Sequence, residues 1–328
     1  YEIRLSLVGS EMCIRDRSSI ARSQLCCIDS AQPSSETISP NGCSLSNIPR
    51  QSGGVGVLTG IVSSAVRQLQ VTGMVWFNVI EVAIPPGGVG MYISQDYEQY
   101  SPGDHQVWTL LYERRMAALQ QTACNAFLKG VDLIGLDARH VPRLADVNAR
   151  LKPLTQWQAM PVPGYLPAKE FFRSLSERKF PTTISVRPLE QLDYLPEPDI
   201  FHDVFGHVPL HADPVFADFL QHYGQVALNT HDEQELVELA RLFWFTVEFG
   251  LIRENGIVKL FGSGLMSSAG EGPHALTGAV EKRNFDLHDV ISQSFEIDHY
   301  QPLLFVIESF EQLYDAVEMW SKEASHAH

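Results

Sequence analysis

The strongest constraint on the fold is a helical segment, residues 242–252, that is apolar on nearly every side and contains one charged residue, Glu248. A helix that is apolar all round has to be buried on every side. An unpaired carboxylate buried there would cost several kcal/mol, about 2–7 for a polar group and more for a charge. Glu248 therefore needs a partner, either an arginine in a structural ion pair or a metal ion shared with other ligands.

Two histidines five residues apart, His202 and His207, are the candidate co-ligands of Glu248. Five residues turn a regular α-helix through about 140°. We therefore expect the helix to end between the two rings, and Gly206 and Pro209 supply such an ending. Two polar side chains at a helix end are the plain alternative to a metal site.

The types of ligand indicate iron more than zinc. Two neutral imidazoles and one carboxylate with open positions are typical of non-haem Fe(II) oxygenases. Catalytic zinc also takes three protein ligands, but the chain has no His-Glu-x-x-His segment that would place a general base beside the metal. A zinc-dependent hydrolase remains the alternative from another class of enzyme.

Local signals predict the first helices. Ser101 as cap and Pro102 in the first turn predict a long helix that runs on towards Gly130. A second helix follows, and Lys152-Pro153 is expected to stop it.

Further along, β-branched density predicts a strand at residues 181–186. Thr230 and Glu233 have capping-box spacing and open a helix that is expected to reach Ile252. A strand is predicted at Leu303–Ile307. Helices outnumber strands, so we expect a mainly α (α+β) single domain with a small β-sheet.

Three long motifs carry a family resemblance: PEPDIFHDVFGHVP at residues 196–209, FWFTVEFGL at 243–251 and GSGLMSS at 262–268. In this order they closely resemble the pterin-dependent aromatic amino acid hydroxylases, the bacterial phenylalanine hydroxylases in particular, from Met91 to the end of the chain. The resemblance implies the catalytic fold of that family, a helical basket with a small sheet. It also implies Fe(II), a tetrahydropterin such as tetrahydrobiopterin, and O₂ as co-substrate.

The resemblance also implies roles for individual residues. The iron ligands would be His202, His207 and Glu248. The substrate-binding residues would be Arg187 on the carboxylate, Pro198, Trp244 and Phe249 around the ring, Ser267 near the substrate and a ligand histidine, and Tyr194 at the mouth. The cofactor-binding residues would be Gly164, Tyr165, Leu166, Phe171 and Asp203. Without the resemblance, Arg187 would be a structural arginine at a strand end and most of the aromatic residues ordinary core.

Two positions bear on the choice of substrate. By the resemblance, Trp244 stands where phenylalanine hydroxylases carry Trp, and Ile297 stands where tyrosine hydroxylases carry Asp. Both indicate a phenylalanine 4-monooxygenase that forms L-tyrosine from L-phenylalanine. A tryptophan or tyrosine hydroxylase is the alternative within the family.

Composition separates residues 1–90 from residues 91–328. The first part has no Lys and no His, and its six arginines balance six acidic residues, so the net charge of −15 belongs to the second part. Residues 7–17 resemble a reading frame of a sequencing adaptor. We interpret 1–90 as a non-native or disordered extension, with Met91 as the expected start, and 91–328 as the catalytic domain. A leader or transit peptide is the alternative.

The catalytic part also limits the partners and the compartment. After Met91 only Cys124 remains, which argues against a disulfide framework and fits a reducing cytoplasm. An acidic domain without a basic run argues against nucleic acid or an anionic membrane as partner. A long terminal heptad is missing, as in the short bacterial enzymes, so we expect a monomer.

Overall fold

The computed structural model describes residues 91–164, 166–193, 198–295, 297 and 299–327. Residues 1–90, for which we expect an extension, lie outside the described residues. Two predicted site residues, Tyr165 and Tyr194, do so as well.

Helices make up most of the regular structure in the described residues. The α-helices are α1 (Pro102–Thr122), α2 (Asn125–Ile134), α3 (Leu144–Thr155), α4 (Ala168–Ser176), α5 (Pro214–Asn229), α6 (Glu233–Phe243), α7 (Ser263–Ser267), α8 (Glu271–Ala275), α9 (Leu287–Ser292) and α10 (Glu311–Ala327). Two π-helices occupy Phe201–His207 and Trp244–Glu248, and 3₁₀ turns occupy Tyr97–Gln99, Leu189–Gln191 and Val208–Ala212.

The described strands form two small sheets. Their bounds are β1 (Gln158–Val162), β2 (Lys179–Thr183), β3 (Leu251–Glu254), β4 (Ile257–Leu260), β5 (Glu281–Asn284) and β6 (Leu303–Ile307). Strands β1 and β2 pair in parallel, with Ala159 opposite Phe180. The second sheet has the order β4-β3-β6-β5, and β6 is buried along its whole length. The mainly α fold with a small sheet, expected from the sequence, is confirmed.

Helix α1 begins as predicted but is shorter. The Ser101 hydroxyl accepts a hydrogen bond from the Asp104 N–H, and the Asp104 carboxylate accepts one from the Ser101 N–H. The helix ends at Thr122 because the Cys124 N–H donates to the carbonyl of Leu260, at 2.9 Å. This contact with β4 pulls the chain out of the helix, so the predicted long helix is two helices.

Pro153 lies inside α3 rather than beyond its end. Proline removes its own N–H donor and is tolerated near a helix end, where the hydrogen-bond ladder is already running out. The helix closes at Gln156, whose N–H donates to the Lys152 carbonyl and whose φ is +67°. The expected stop at Lys152-Pro153 is therefore wrong by one turn.

The predicted strand at 181–186 lies earlier, at β2, because the Thr183 N–H donates to the carboxylate of Asp203 and leaves the ladder there. The predicted capping box is also wrong. Asp232 caps α6, accepting hydrogen bonds from two backbone N–H groups, whereas the Thr230 hydroxyl bonds to the last turn of α5. An acidic cap one residue before the helix is the stronger signal.

The segment 242–252 is buried as expected but is not one helix. Helix α6 passes into a π-helix that ends at Glu248, and Ile252 belongs to β3. Glu248 is 1% exposed, so the carboxylate does sit inside the apolar core. Among the described helices, none has the length and apolar content needed to cross a lipid bilayer.

Another buried carboxyl, that of Glu271, lies outside the predicted site. Burial raises the pKa of Glu271 in α8 to about 8, from an ordinary value of 4.5. Between these two values the folded state keeps a proton that the unfolded chain has lost, so this group lowers stability as the pH rises. We expect Glu271→Gln to raise the melting temperature by at least about 2 °C at pH 9.

The gain from Glu271→Gln should shrink as the pH falls towards 4.5, because below that pH the carboxyl is protonated in the folded and in the unfolded state. Thermal unfolding at pH 5 and pH 9 measures it, with the exposed Glu113→Gln as control. The same shift at both pH values would contradict the assignment.

Candidate active site

Both segments that carry predicted metal ligands are π-helices. His202 and His207 belong to Phe201–His207, and Glu248 ends Trp244–Glu248. Hydrogen bonds in a π-helix join residues five apart. The two histidines therefore lie one above the other on a continuous helix, with ring centroids 5.1 Å apart. The expectation that the helix ends between them is wrong, because the turn widens instead.

Gly206 serves close packing rather than helix termination. A Cβ at this position would lie 3.1 Å from the carbonyl oxygen of Ser263 in α7. Pro209 falls in the 3₁₀ turn Val208–Ala212, which carries the chain on beyond the histidines. Helix α7 thus packs directly against the first π-helix.

Three buried side chains converge between the two π-helices. Glu248 Oε1 lies 3.3 Å from His207 Nε2, and Glu248 Oε2 lies 3.7 Å from His202 Nε2. Ligand atoms at about 2.1 Å from one ion lie roughly 3.0 to 3.6 Å apart when they subtend about 90 to 120°. These two separations, one from each carboxylate oxygen, are close to those expected between neighbouring ligands of one metal ion.

The electrostatics of these groups fit a divalent cation. Among the described residues, His202 Nε2 and Glu248 Oε1 are buried without a hydrogen-bond partner. Burial lowers the pKa of His202 to about 4 and that of His207 to about 3, so both imidazoles are neutral at pH 7. Burial raises the pKa of Glu248 to about 7. A cation at this point would take the imidazole lone pairs and favour the ionised carboxylate.

A short relay of hydrogen bonds fixes the tautomer of His202. The Ser267 hydroxyl donates to the carbonyl of Ser263 at 2.9 Å, which uses its one proton. It lies 2.9 Å from His202 Nδ1 and must accept a hydrogen bond from that nitrogen. Nδ1 therefore carries the proton, and Nε2 presents a lone pair towards Glu248.

The same helix holds the carboxylate. The Ser263 hydroxyl donates to Glu248 Oε2 at 2.6 Å, which leaves Oε1 for a further partner. Ser263 and Ser267 are four residues apart and lie on one face of α7. One turn of helix thus orients a histidine through one serine and the glutamate through the other.

Asp203 is a second carboxyl within reach of both histidines. His202, Asp203 and His207 each offer a ligand atom within 4.8 Å of the others. However, Asp203 Oδ2 already accepts hydrogen bonds from the Thr183 N–H and hydroxyl, both at 2.7 Å. Burial raises the pKa of Asp203 to about 7, against the effect of these two bonds. Glu248, by contrast, has one oxygen, Oε1, without a hydrogen-bond partner among the described residues.

Arg187 is buried in a bidentate ion pair. Its Nε and Nη2 donate to the two oxygens of Asp199, each at 2.9 Å. Burial alone would raise the pKa of Asp199, but the charge and side-chain hydrogen bonds of Arg187, with backbone hydrogen bonds from the N–H groups of His202 and Arg187, hold that pKa below its ordinary value. Asp199 Oδ1 also accepts from the His202 N–H, at 3.0 Å. The arginine is therefore tied to the start of the histidine-bearing helix.

A cavity opens beside these groups. Its walls include Arg187, Pro198, His202 and Ser267, so the structure brings three predicted substrate residues together with one predicted ligand. Pro198 also borders a second cavity, whose wall includes Gly164.

Trp244 and Phe249 are packed behind this region. Their ring centroids are 4.9 Å apart, and Trp244 stacks on Phe295 at 4.0 Å. The Trp244 indole N–H donates to Gln301 Oε1 at 3.2 Å. Neither aromatic residue is among the described walls of the first cavity.

The residues predicted to bind the pterin are more dispersed than those predicted to bind the substrate. Phe171 is buried and meets Phe180 and Phe243 edge-on, and the Phe180 ring lies 4.6 Å from that of His207. Leu166 is partly buried. Of the other predicted site residues, Tyr165 and Tyr194 lie outside the described residues.

Sequence reasoning missed Asp199, Ser263 and Thr183. Asp199 lies inside the first quoted motif, and Ser263 lies four residues before Ser267 in the third. This spacing of two hydroxyls on a short helix is a usable signal. Thr183 has no comparable signal, because its contact with Asp203 depends on how β2 meets the π-helix.

Comparisons with known proteins identify the family of the chain. A family model described as biopterin-dependent aromatic amino acid hydroxylase matches residues 92–328. The phenylalanine-4-hydroxylase of Ralstonia nicotianae is 44% identical over 225 residues, which cover 68% of this chain and 72% of that protein. The enzyme of the same name from Chromobacterium violaceum is 42% identical over 225 residues, 68% of this chain and 76% of that protein.

A solved structure is also similar. The C. violaceum phenylalanine hydroxylase with bound iron(III) and 7,8-dihydrobiopterin gives a TM-score of 0.68 at 40% identity, covering 73% of this chain and 88% of that one. The resemblance inferred from the three motifs is thereby confirmed. The chain belongs to the biopterin-dependent aromatic amino acid hydroxylase family.

Proposed function

We propose that the protein is a phenylalanine 4-monooxygenase, which converts L-phenylalanine to L-tyrosine with O₂ and a tetrahydropterin such as tetrahydrobiopterin. One observation carries the proposal. His202, His207 and Glu248 converge in a buried centre in which two of their donor atoms have no partner among the described residues. The bacterial relatives, which bear the name phenylalanine-4-hydroxylase, support the choice of substrate.

In this proposal the three side chains hold Fe(II). The iron and the tetrahydropterin supply the redox chemistry when bound. The chain supplies neutral imidazoles, a carboxylate oriented by Ser263, and a centre from which bulk water is excluded by burial. Ser267 keeps the lone pair of His202 directed at the metal.

Arg187 binds the carboxylate of the amino acid. One edge of its guanidinium is occupied by Asp199, but Nη1 makes only a 3.3 Å contact with the Leu192 carbonyl. A substrate carboxylate can replace this long contact with a charge-assisted hydrogen bond. Pro198, Trp244 and Phe249 would then surround the aromatic ring, with Tyr194 at the mouth.

The pterin would lie along the backbone of Gly164, Tyr165 and Leu166, with the ring of Phe171 against it. Gly164 supports this because it borders the second cavity, which shares Pro198 as a wall residue with the first one. Asp203, held in place by Thr183, would act near the pterin. Its pKa of about 7 suits a group that exchanges a proton near neutrality.

The test is O₂ uptake and product formation by the protein loaded with Fe(II) and supplied with tetrahydrobiopterin. We expect turnover of phenylalanine to tyrosine, at a higher kcat/KM than with tyrosine or tryptophan as substrate. Omission of the pterin, or replacement of Fe(II) by Zn(II), should abolish the turnover of phenylalanine. Preference for tryptophan or tyrosine would identify another member of the family. Activity on an ester or amide with Zn(II) and without O₂ would indicate a hydrolase.

We further propose that residues 91–328 are the catalytic domain and that catalysis does not require residues 1–90. The family match, which begins at residue 92, supports this division. The same assay on residues 91–328 should give the turnover of the full chain. Loss of soluble protein on truncation would contradict the division.

We also propose a cytoplasmic monomer without a nucleic-acid or membrane partner. The acidic balance of residues 91–328 supports the absence of these two partners, because it repels phosphate backbones and anionic lipid alike. A dimer mass in light scattering would contradict the monomer, and sedimentation with anionic vesicles would contradict the absence of a membrane partner.

A further inference from the structure

Arg115 is a buried cation that the proposed chemistry does not use. It lies on α1 and is 3% exposed. Among the described residues, no carboxylate oxygen lies within 4.0 Å of its guanidinium. Burial lowers its pKa to about 10, so it remains charged at neutral pH. A buried charge without a counter-ion is costly and calls for a specific set of acceptors.

The acceptors are backbone carbonyls of α7. Arg115 Nε donates to the carbonyl of Met266 at 2.7 Å, and Nη2 donates to that of Leu265 at 2.9 Å. Carbonyls in the last turn of a helix have no partner within the helix. Hydrogen bonds from an ionised donor are about twice as strong as neutral ones. Arg115 therefore fixes the end of α7 from outside.

Glycines around α7 show how little space it has to move. A Cβ at Gly272 would lie 2.8 Å from Arg115 Nη2, one at Gly262 would lie 2.4 Å from the Glu248 carbonyl oxygen, and one at Gly264 would lie 2.9 Å from the Phe249 ring. Helix α7 is thus held between the arginine on one side and the two π-helices on the other.

Only one turn of helix separates Arg115 from the candidate metal centre. The carbonyls that it binds belong to the turn that carries Ser263 and Ser267. Those serines orient Glu248 and His202. A shift at the end of α7 would move both hydroxyls together.

We propose that Arg115 is a positioning residue for the metal centre. By holding the carbonyls of Leu265 and Met266, it sets the angle at which α7 presents its two serines to His202 and Glu248. The inference rests on the proposed function, since it requires these two side chains to share a metal ion with His207. It assigns no contact between Arg115 and the substrate.

The experiment compares the metal affinity of apoprotein variants by titration with Fe(II) and Co(II), together with the visible absorption of the Co(II) form. Arg115→Met removes both hydrogen bonds at similar volume. Ser267→Ala removes the hydrogen-bond partner of His202 directly. It therefore shows how much metal affinity is lost when this serine no longer holds the histidine. Arg178→Met is the matched control, because Arg178 also donates to a backbone carbonyl, that of Thr155, but contacts none of the site residues.

We expect Arg115→Met and Ser267→Ala each to weaken metal binding by about tenfold and to alter the Co(II) spectrum, as outer partners of metal ligands do. Arg178→Met should lower the melting temperature but keep the native affinity and spectrum. Arg115→Lys, which keeps the charge with a single donor group, should lie between the native protein and Arg115→Met.

If Arg115→Met keeps the native metal affinity and the native Co(II) spectrum, the inference is wrong. It is wrong also if the KM for phenylalanine rises in that variant while both metal readouts stay native. If Arg115→Met does not fold, Arg115→Lys decides by the same readouts. Failure of the native protein to bind metal would refute the proposed function instead, so the two failures are distinguishable.

Discussion

Glu248→Gln is expected to weaken iron binding by at least about a hundredfold and to abolish turnover. Outer partners of a metal ligand are worth about 10–100-fold in affinity, and loss of a ligand should exceed that. The carboxamide keeps the shape and the hydrogen bond from Ser263 but removes the negative charge. Titration of the apoprotein with Fe(II), alongside the O₂ uptake assay, measures both effects.

The matched control is Asp203→Asn. Both carboxyls are buried and lie within reach of the same two histidines, but Asp203 is already bonded to Thr183. Its amide oxygen can keep those bonds, so we expect iron affinity to change by less than about tenfold. If Asp203→Asn releases the metal and Glu248→Gln retains it, then Asp203 is the third ligand and our assignment is wrong.

Arg187→Met is expected to have two separable effects. It should raise the KM for phenylalanine by at least about thirtyfold, since truncation of one partner in a buried charged pair costs about 2–5 kcal/mol of binding. It should also lower the free energy of unfolding by about 3–5 kcal/mol, because Asp199 would remain buried and unpaired. Substrate kinetics and denaturant unfolding measure the two effects.

The double variant Arg187→Met/Asp199→Asn separates them. Asp199→Asn removes the unpaired buried carboxylate and should restore much of the free energy of unfolding. The KM for phenylalanine should stay high, because no cation faces the substrate. Arg253→Met, which loses a surface pair with Glu308, controls for the loss of a guanidinium. A native KM in the double variant would show that Arg187 stabilises the fold and does not bind substrate.

The sequence predicted the elements of the site better than their geometry. Glu248 stood out because a single charge in an apolar segment requires a partner, and the structure does place it against His202 and His207. The roles of these residues stay predictions until the variants are measured. The π-helical turns were not predictable, because the same apolar positions also suit an α-helix.

Local rules failed where other contacts compete with them. Thr230 and Asp232 both offer a cap, but the Thr230 hydroxyl donates to the Val226 carbonyl in the last turn of α5, and Asp232 caps α6. The end of α1 depends on a hydrogen bond from Cys124 to Leu260, more than a hundred residues away in the chain. Asp199 likewise acquires its function by pairing with Arg187 across a loop.

The two π-helices have a consequence for how the protein responds to its metal. Wide turns are a rare and less favourable form of helix, and here both of them end in or contain the side chains that would bind the ion. An ion bound by the native state alone adds RT ln(1 + [L]/Kd) to its stability. Metal supply would therefore be coupled thermodynamically to the stability of the two π-helices that carry His202, His207 and Glu248, and loading of the site would also consolidate the core around it.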